Sequence, residues 1–220
     1  QNLSSSKIKN IIFDFGGVVM NWNQRYYFKN YFKNDEKMEF FLENIATDEW
    51  NAEQDRGRSL AEGTEILVEK HHTWETEIRA FYDNWTTMLR GEIPENVATL
   101  RKLAETDFEL FGLTNWSHET FPYALAHYDF FEVFGGKIVV SGEEKLIKPD
   151  PKIWQVLIEK YRILPEESIF IDDTLEFNEK DHIVINHTHR KRYTVTDEEL
   201  LSIKSGCIPI KVDAPRVPTP

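Results

Sequence analysis

The chain has 220 residues, of which 40% are hydrophobic and 13% aromatic, so it can bury a sizeable core and is not a low-complexity or disordered chain. Its formal charge of −12 argues against a broad surface for nucleic acid or an anionic membrane, and its one cysteine, Cys207, excludes an intramolecular disulfide and a cysteine-rich zinc site. No apolar stretch approaches the length of a membrane span, and QNLSSSKIKN lacks the apolar segment of a signal peptide. We therefore expect a cytoplasmic protein.

The first predicted element is a short β-strand. Residues 11–13 form an apolar, β-branched run that ends in Asp14 and in the glycine pair Gly16 and Gly17. This pattern is typical of a strand that is stopped by a tight turn.

A helical stretch comes next, from about residue 22 to residue 90. Aromatic and aliphatic side chains recur there at helical spacing, as in Phe81, Trp85 and Met88, and no strand-like run interrupts them. We expect four or so helices, whose aromatic residues serve mainly as a packed core.

Strands and helices alternate beyond this stretch. Strands are predicted over residues 108–113, 137–140 and 168–171, and helices begin at Pro94, run through Tyr123 to His127, and begin again at Pro151. Such alternation predicts an α/β fold, in which a parallel sheet carries helices on both faces.

Polar residues come directly after three of these strands. Asp14, the pair Thr114-Asn115 and the pair Asp172-Asp173 stand where ligands bind in parallel sheets, beyond the carboxyl ends of the strands. Carboxylates gathered there repel one another unless a cation is present, and oxygen ligands of this kind suit Mg²⁺ and phosphate substrates. Lys148, in the proline-containing sequence IKPDP, is placed to hold a phosphoryl oxygen, and Asp14 to act as a nucleophile.

The ordered set of four segments resembles the haloacid dehalogenase-like hydrolase superfamily, most closely the members with a small helical cap. The segments are IFDFGGVV at residues 12–19, LTN at 113–115, LIKPDP at 146–151 and IFIDDT at 169–174, and the resemblance runs from about residue 8 to residue 178. It implies a Rossmann-like core made of residues 1–20 and 92–220, with residues 21–91 inserted as an α-helical cap that closes over the substrate.

The resemblance also implies a role for each matching residue. Asp14 would be the nucleophile and a Mg²⁺ ligand, and the Gly16 carbonyl a second ligand. Thr114 and the Asn115 backbone would bind the phosphoryl group, which Lys148 would clamp. Asp173 would be the direct metal ligand of its pair, with Asp172 ligating or acting through water. The expected activity is Mg²⁺-dependent hydrolysis of a small phosphorylated metabolite, such as a sugar phosphate, through an aspartyl-phosphate.

Two features depart from the family pattern. Most phosphatases of the superfamily carry a second aspartate two residues after the nucleophile as general acid, and here that position is Gly16. Without it, expulsion of a poor leaving group loses a factor on the order of 10²–10⁴. Water or a residue of the cap would then supply the proton, and His71, His72 and Asp48 are candidates.

The second departure lies beyond Asp173. The expected last strand, 208–212, arrives late, because residues 179–196 intervene as an insertion or as scrambled sequence; residues 183–185 are an alternative last strand. The basic run HTHRKR within this segment is expected to be a solvated loop.

Two further functions remain open at this stage. A 2-haloacid dehalogenase would use the same aspartate to displace halide and tolerates Gly16, although it needs no metal and usually lacks the Asp172-Asp173 pair. A catalytically weak binding or regulatory protein is the other alternative. We expect a small-molecule phosphate ester as the partner, no nucleic acid, no membrane, and a monomer or homodimer.

Overall fold

The computed structural model describes residues 8–172, the side chain of Glu166 excepted. In chain order the elements are β1 (Asn10–Phe13), β2 (Met20–Trp22), α1 (Arg25–Phe32), α2 (Asp35–Asn44), α3 (Asp48–Asp55), α4 (Leu60–Lys70), α5 (Glu75–Asp83), α6 (Trp85–Met88), β3 (Leu89–Glu92), α7 (Pro94–Ala104), β4 (Glu109–Thr114), α8 (Phe121–His127), β5 (Ile138–Val140), α9 (Ser141–Glu144), α10 (Pro151–Tyr161) and β6 (Ser168–Ile171). Short 3₁₀ segments lie at His72–Trp74, Asp129–Phe134 and Pro165–Glu167.

Four parallel strands form the central sheet, in the spatial order β5-β4-β1-β6. Strand β1 pairs with β4 on one side and with β6 on the other, and β4 also pairs with β5. All the pairs are parallel, so the polar residues at the ends of β1, β4 and β6 meet at one edge of the sheet. The predicted α/β fold with a parallel sheet is confirmed.

Alternation along β1 divides the core into two layers. Ile11 and Phe13 face a cluster that includes Leu100 of α7, whereas Ile12 faces a cluster on the opposite side that includes Leu157 of α10. Successive side chains of a strand point to opposite faces, so one short run of apolar residues supplies both layers. Helices therefore cover both faces of the sheet.

Residues 25–88, called the helical insert below, contain six helices with a hydrophobic core of their own. Phe28, Phe41, Ile78 and Phe81 are among its most deeply buried members. Capping residues set several helix starts: the side chains of Asn34, Thr47 and Ser59 each accept a hydrogen bond from a backbone N–H of the first helical turn.

A two-stranded antiparallel ribbon, β2 with β3, joins the helical insert to the sheet. The prediction that residues 22–90 hold no strand was wrong at both ends, because β2 ends at Trp22 and β3 begins at Leu89. The ribbon strands have three and four residues, and β3 has the sequence LRGE. Cross-strand pairing, rather than intrinsic strand propensity, holds such short segments together.

Asp173, the segment 179–196, the alternative strand 183–185 and the predicted last strand 208–212 lie outside the described residues. Within residues 8–172, none of the helices has the length and apolar character that crossing a bilayer requires.

Candidate active site

The edge of the sheet brings together three of the predicted site residues. Asp14 comes directly after β1, Asp172 comes directly after β6, and Lys148 reaches them from the segment that precedes α10. The Lys148 Nζ atom lies 3.1 Å from Oδ1 of Asp14 and 2.7 Å from Oδ2 of Asp172. All three side chains are buried, so one ammonium group compensates two carboxylates away from solvent.

This buried triad favours a charged lysine. Burial alone would lower the Lys148 pKa, but the charges of Asp14 and Asp172 and their hydrogen bonds outweigh burial and raise the pKa above its ordinary value. The Nζ atom also lies 5.0 Å from the centre of the Phe170 ring, at a distance where a cation is attracted to the ring face. Lys148 is therefore held as a fixed positive charge at the end of the sheet.

Asn115 fixes the backbone on which Lys148 is carried. Its Oδ1 atom accepts a hydrogen bond from the Lys148 N–H at 2.8 Å, and its Nδ2 group donates to the Lys148 carbonyl at 3.1 Å. The Asn115 side chain is thus engaged in holding Lys148. Only the backbone of Asn115 is left for the phosphoryl contact that the sequence predicted.

The Thr114 side chain ends β4 beside this group. Its hydroxyl is buried, and it makes no hydrogen bond to any of residues 8–172. A buried hydroxyl without a partner costs stability, and such a group in a native protein calls for a ligand or another function.

A tight turn after β1 leaves open space next to Gly16. The Phe15 carbonyl accepts hydrogen bonds from the N–H groups of Val19 and Met20, both at 2.9 Å, and Gly17 takes a φ of 71°. A Cβ atom added at Gly16 would meet no atom within 4 Å. The turn therefore presents Gly16 to a space that a side chain does not fill.

That space is a cavity of about 140 Å³ between the sheet edge and the helical insert. From the sheet side it is lined by Gly16, Asn115, Trp116, Ser117 and Thr120, and from the ribbon and the insert by Met20, Trp22, Asn51, Asp55, Tyr82 and Trp85. Apart from Asp55, no charged side chain of the described residues lines it. Aromatic faces with a few polar groups are typical of a site for a small organic molecule.

Asp55 is a site residue that the sequence analysis did not identify. It ends α3, and burial, only partly offset by a hydrogen bond from the Ser117 N–H, raises its pKa to about 7. Helical spacing places Asn51 and Asp55 on one face of α3, but no sequence signal shows that this face meets Gly16. The candidate acids His71, His72 and Asp48 do not line the cavity.

A complete metal site is not contained in residues 8–172. No cluster of three or more His, Cys, Asp or Glu side chains that could hold a metal ion occurs in that part of the chain. Asp14 and Asp172 form a pair, and Asp173, the expected third carboxylate, falls outside the described residues.

Comparison with solved structures supports the fold. A HAD family enzyme from Bacteroides thetaiotaomicron is 24% identical, with a TM-score of 0.64 over 89% of this chain and 98% of that one. The same enzyme, in complex with magnesium and inorganic phosphate, is matched at 26% identity with a TM-score of 0.59 over 88% and 98% of the two chains. A dehalogenase with an intermediate complex is 17% identical, with a TM-score of 0.57 over 77% and 78%.

Sequence comparison adds the family. No curated protein matches the chain. The family model for haloacid dehalogenase-like hydrolases, however, matches residues 8–178, which include the strand-end residues Asp14, Thr114 and Asp172 as well as Lys148. With this match over most of its length and the parallel sheet described above, the chain belongs to the haloacid dehalogenase-like hydrolases.

Proposed function

We propose that this hydrolase is a Mg²⁺-dependent phosphatase that acts on a small phosphorylated metabolite through an aspartyl-phosphate on Asp14. The observation that carries the proposal is the meeting of the Asp14 and Asp172 carboxylates at the Lys148 ammonium group. The buried Thr114 hydroxyl, which no described residue satisfies, supports a phosphoryl ligand at the same edge.

The donor chemistry at this edge fits Mg²⁺. The Asp14 and Asp172 carboxylates and the Gly16 carbonyl are hard oxygen donors, which Mg²⁺ prefers, and Asp173 is proposed to complete the set. Once bound, Mg²⁺ would offset the charge of the carboxylates and of the phosphoryl oxygens. The solved B. thetaiotaomicron enzyme in complex with magnesium and inorganic phosphate supports this assignment.

Asp14 performs the covalent step in this proposal. Its carboxylate oxygen attacks phosphorus, the bond between phosphorus and the ester oxygen breaks, and the ester oxygen leaves with the electron pair and takes up a proton. Lys148 and the Thr114 hydroxyl bind the non-bridging oxygens and stabilise their charge. Water then attacks the aspartyl-phosphate, which releases inorganic phosphate and restores the Asp14 carboxylate.

The cavity is proposed to receive the leaving group. Trp22, Trp85 and Trp116 offer aromatic faces, and no Lys or Arg of the described chain lines the cavity. A compact, uncharged group such as a sugar suits this lining better than a group with a second phosphate. We propose that residues 21–91 act as the cap over this group.

Dehalogenation is the second candidate, and Gly16 favours it, because displacement of halide needs no proton donor. A dehalogenase also stands among the similar structures, at 17% identity. Against it, the buried Asp172 carboxylate contacts the Lys148 ammonium group. An acidic residue at this position is expected of a metal-dependent reaction. A protein that only binds its ligand is disfavoured by the same buried triad of Asp14, Lys148 and Asp172.

The decisive experiment is hydrolysis of p-nitrophenyl phosphate, with Mg²⁺ and with EDTA, by the wild type and the Asp14→Asn variant. We expect turnover that requires Mg²⁺ and is lost in the variant, because the amide is a poor nucleophile. Turnover that persists in Asp14→Asn would refute the assignment of the nucleophile.

A second substrate separates the alternatives. The same preparations are given 2-chloropropionate, and released chloride is measured. Chloride release that EDTA does not affect, without phosphate ester hydrolysis, would establish the dehalogenase instead. No turnover of either substrate would favour the binding protein.

A further inference from the structure

Asp55 faces the cavity from the side opposite Gly16. It is the last residue of α3 in the helical insert, and Gly16 lies in the turn two residues after Asp14. Both Gly16 and Asp55 line the cavity, so a group bound there contacts Asp55 and the turn that directly follows the proposed nucleophile.

Hydrogen bonds to the sheet side hold Asp55 in this position. The Ser117 N–H donates to the Asp55 carboxyl group, and the Ser141 hydroxyl donates to the Asp55 carbonyl at 2.5 Å. The Ser141 Oγ atom also accepts from the Trp116 N–H at 2.9 Å. The end of α3 is therefore attached to the loop after β4, which itself lines the cavity.

Among the cavity-lining residues that the structure describes, the titratable groups are Asp55 and Tyr82. The Tyr82 hydroxyl is already hydrogen-bonded on both sides, because it donates to Asn51 at 2.8 Å and accepts from Gln54 at 2.8 Å. Burial also raises the Tyr82 pKa above its ordinary value. Asp55, by contrast, has a pKa of about 7 and exchanges a proton near neutral pH.

Burial sets the Asp55 pKa more than any neighbouring charge does. Helices α4 and α9 pack against α3, and the loop after β4 donates to Asp55. The titratable and charged groups on these segments and on α3 with its continuation are Asp48, Glu49, Glu53, Arg56, Arg58, Glu62, Glu65, Glu69, Lys70, His118, Glu119, Glu143, Glu144 and Lys145, and Tyr82 of α5 lines the same cavity. Arg58 is engaged by Gln54 and by the Trp50 carbonyl, at 2.7 and 3.2 Å. The Asp55 carboxyl is left with the Ser117 N–H and a long contact to Asn51, at 3.4 Å.

Phosphoryl transfer from an alkyl ester needs a proton donor, because an alkoxide is a poor leaving group. Gly16 has no side chain to supply the proton. We propose that Asp55, contributed by the helical insert, is the general acid that protonates the leaving-group oxygen. The inference rests on the proposed phosphatase activity.

The proton returns in the second half of the reaction. As the bond from phosphorus to the ester oxygen breaks, that oxygen keeps the electron pair and takes the Asp55 proton, so that an alcohol leaves. Water then attacks the aspartyl-phosphate on Asp14 and leaves its protons on the released phosphate, while the Asp55 carboxylate regains its proton from solvent. Phosphate is released, and both carboxyl groups return to their starting states.

The test compares two substrates. The leaving group of p-nitrophenyl phosphate departs with little protonation, whereas the alkoxide of propyl phosphate must be protonated in order to leave. In Asp55→Asn we expect kcat on propyl phosphate to fall on the order of 10²–10⁴-fold, and kcat on p-nitrophenyl phosphate to fall less than about tenfold. The amide keeps an oxygen that accepts from Ser117. Glu53→Gln, an exposed change on the same helix, is the matched control and should leave both rates unchanged.

A second variant restores an acid on the other side of the cavity. Gly16 does not have a positive φ, and a side chain there has room, so Gly16→Asp is tolerated by the backbone. In the double variant Gly16→Asp with Asp55→Asn, we expect activity on propyl phosphate to recover at least tenfold, whereas p-nitrophenyl phosphate hydrolysis changes little.

The pH profile of the wild type tests the same point without any substitution. Turnover of propyl phosphate should fall above about pH 7, as Asp55 loses its proton, and turnover of p-nitrophenyl phosphate should not show this fall. Equal losses on both substrates in Asp55→Asn, or none on propyl phosphate, would overturn the acid assignment alone. If the wild type hydrolyses neither ester with Mg²⁺, the phosphatase itself is refuted, and the role of Asp55 with it.

Discussion

Replacing Thr114 with valine exchanges a buried hydroxyl for a methyl group of nearly the same shape. Thr114 is 1% exposed, and its hydroxyl has no partner among residues 8–172, whereas the unfolded chain would return the hydroxyl to water. An unsatisfied buried polar group costs about 1–3 kcal/mol. Valine keeps the β-branched shape that suits the end of β4, so we expect Thr114→Val to raise the free energy of unfolding by about 1 kcal/mol.

Urea denaturation followed by fluorescence measures this gain. With a slope of about 2 kcal/mol per M, the midpoint should rise by roughly 0.5 M. Activity should move in the other direction, because the variant lacks the hydroxyl proposed to bind a phosphoryl oxygen, and kcat/KM for p-nitrophenyl phosphate should fall about tenfold or more. Stability gained together with activity lost is the pattern expected of a binding group.

Thr120 supplies the matched control. Its buried hydroxyl accepts a hydrogen bond from the Trp116 indole N–H at 3.0 Å, so Thr120→Val should lower the free energy of unfolding by about 1–3 kcal/mol. A lower midpoint in Thr114→Val, similar to that of the control, would refute the reasoning from the unsatisfied hydroxyl. Unchanged kinetics in Thr114→Val would refute the phosphoryl contact.

Three further predictions concern stability. Lys148→Met leaves two buried carboxylates without their cation, so urea denaturation in EDTA should show that the free energy of unfolding falls by about 3–5 kcal/mol. An unchanged urea midpoint would contradict this prediction. The Asp55 pKa of about 7 lies above its ordinary value of 3.8, so the wild type loses stability as pH rises from 3.8 to about 7 and loses no more above that. The free energy of unfolding of Asp55→Asn should equal that of the wild type near pH 4 and exceed it by about 4 kcal/mol near pH 8, and equal midpoints at both pH values would contradict this. Gly112→Ala places a Cβ against the Phe15 ring and should lower the thermal midpoint through a cost of about 1–3 kcal/mol, whereas an unchanged midpoint would show that the ring moves aside freely.

The central sheet could be predicted from the sequence because its strands are local and strongly patterned. Residues 168–171 are a strand as predicted, and the strand predicted over 108–113 is shifted by one residue, to Glu109–Thr114. Each run of apolar residues ends at a polar residue. The ribbon β2–β3 could not be predicted, because its short strands depend on each other for pairing rather than on their own composition.

Some residues of the candidate site could likewise be predicted from the sequence, and one could not. Asp14, Thr114 and Asp172 were identified because parallel strands deliver the residues at their carboxyl ends to one edge, and Lys148 was identified from the proline-containing sequence IKPDP. The structure brings Asp14, Lys148 and Asp172 into contact. Their catalytic roles stay predictions. Asp55 was missed because its place opposite Gly16 depends on how the helical insert packs against the sheet, and helical periodicity carries no information on that packing.

The ribbon that carries the helical insert has a consequence for how this protein can change over evolutionary time. Trp22 and Leu89 are register partners, so the chain leaves and re-enters the sheet region at adjacent points, and the whole insert takes the place of a hairpin loop. Loop-closure entropy grows only slowly with length, so such a position tolerates segments of very different size. Recombination at the ribbon could therefore exchange the helical insert as a unit, while the residues at the sheet edge keep their geometry.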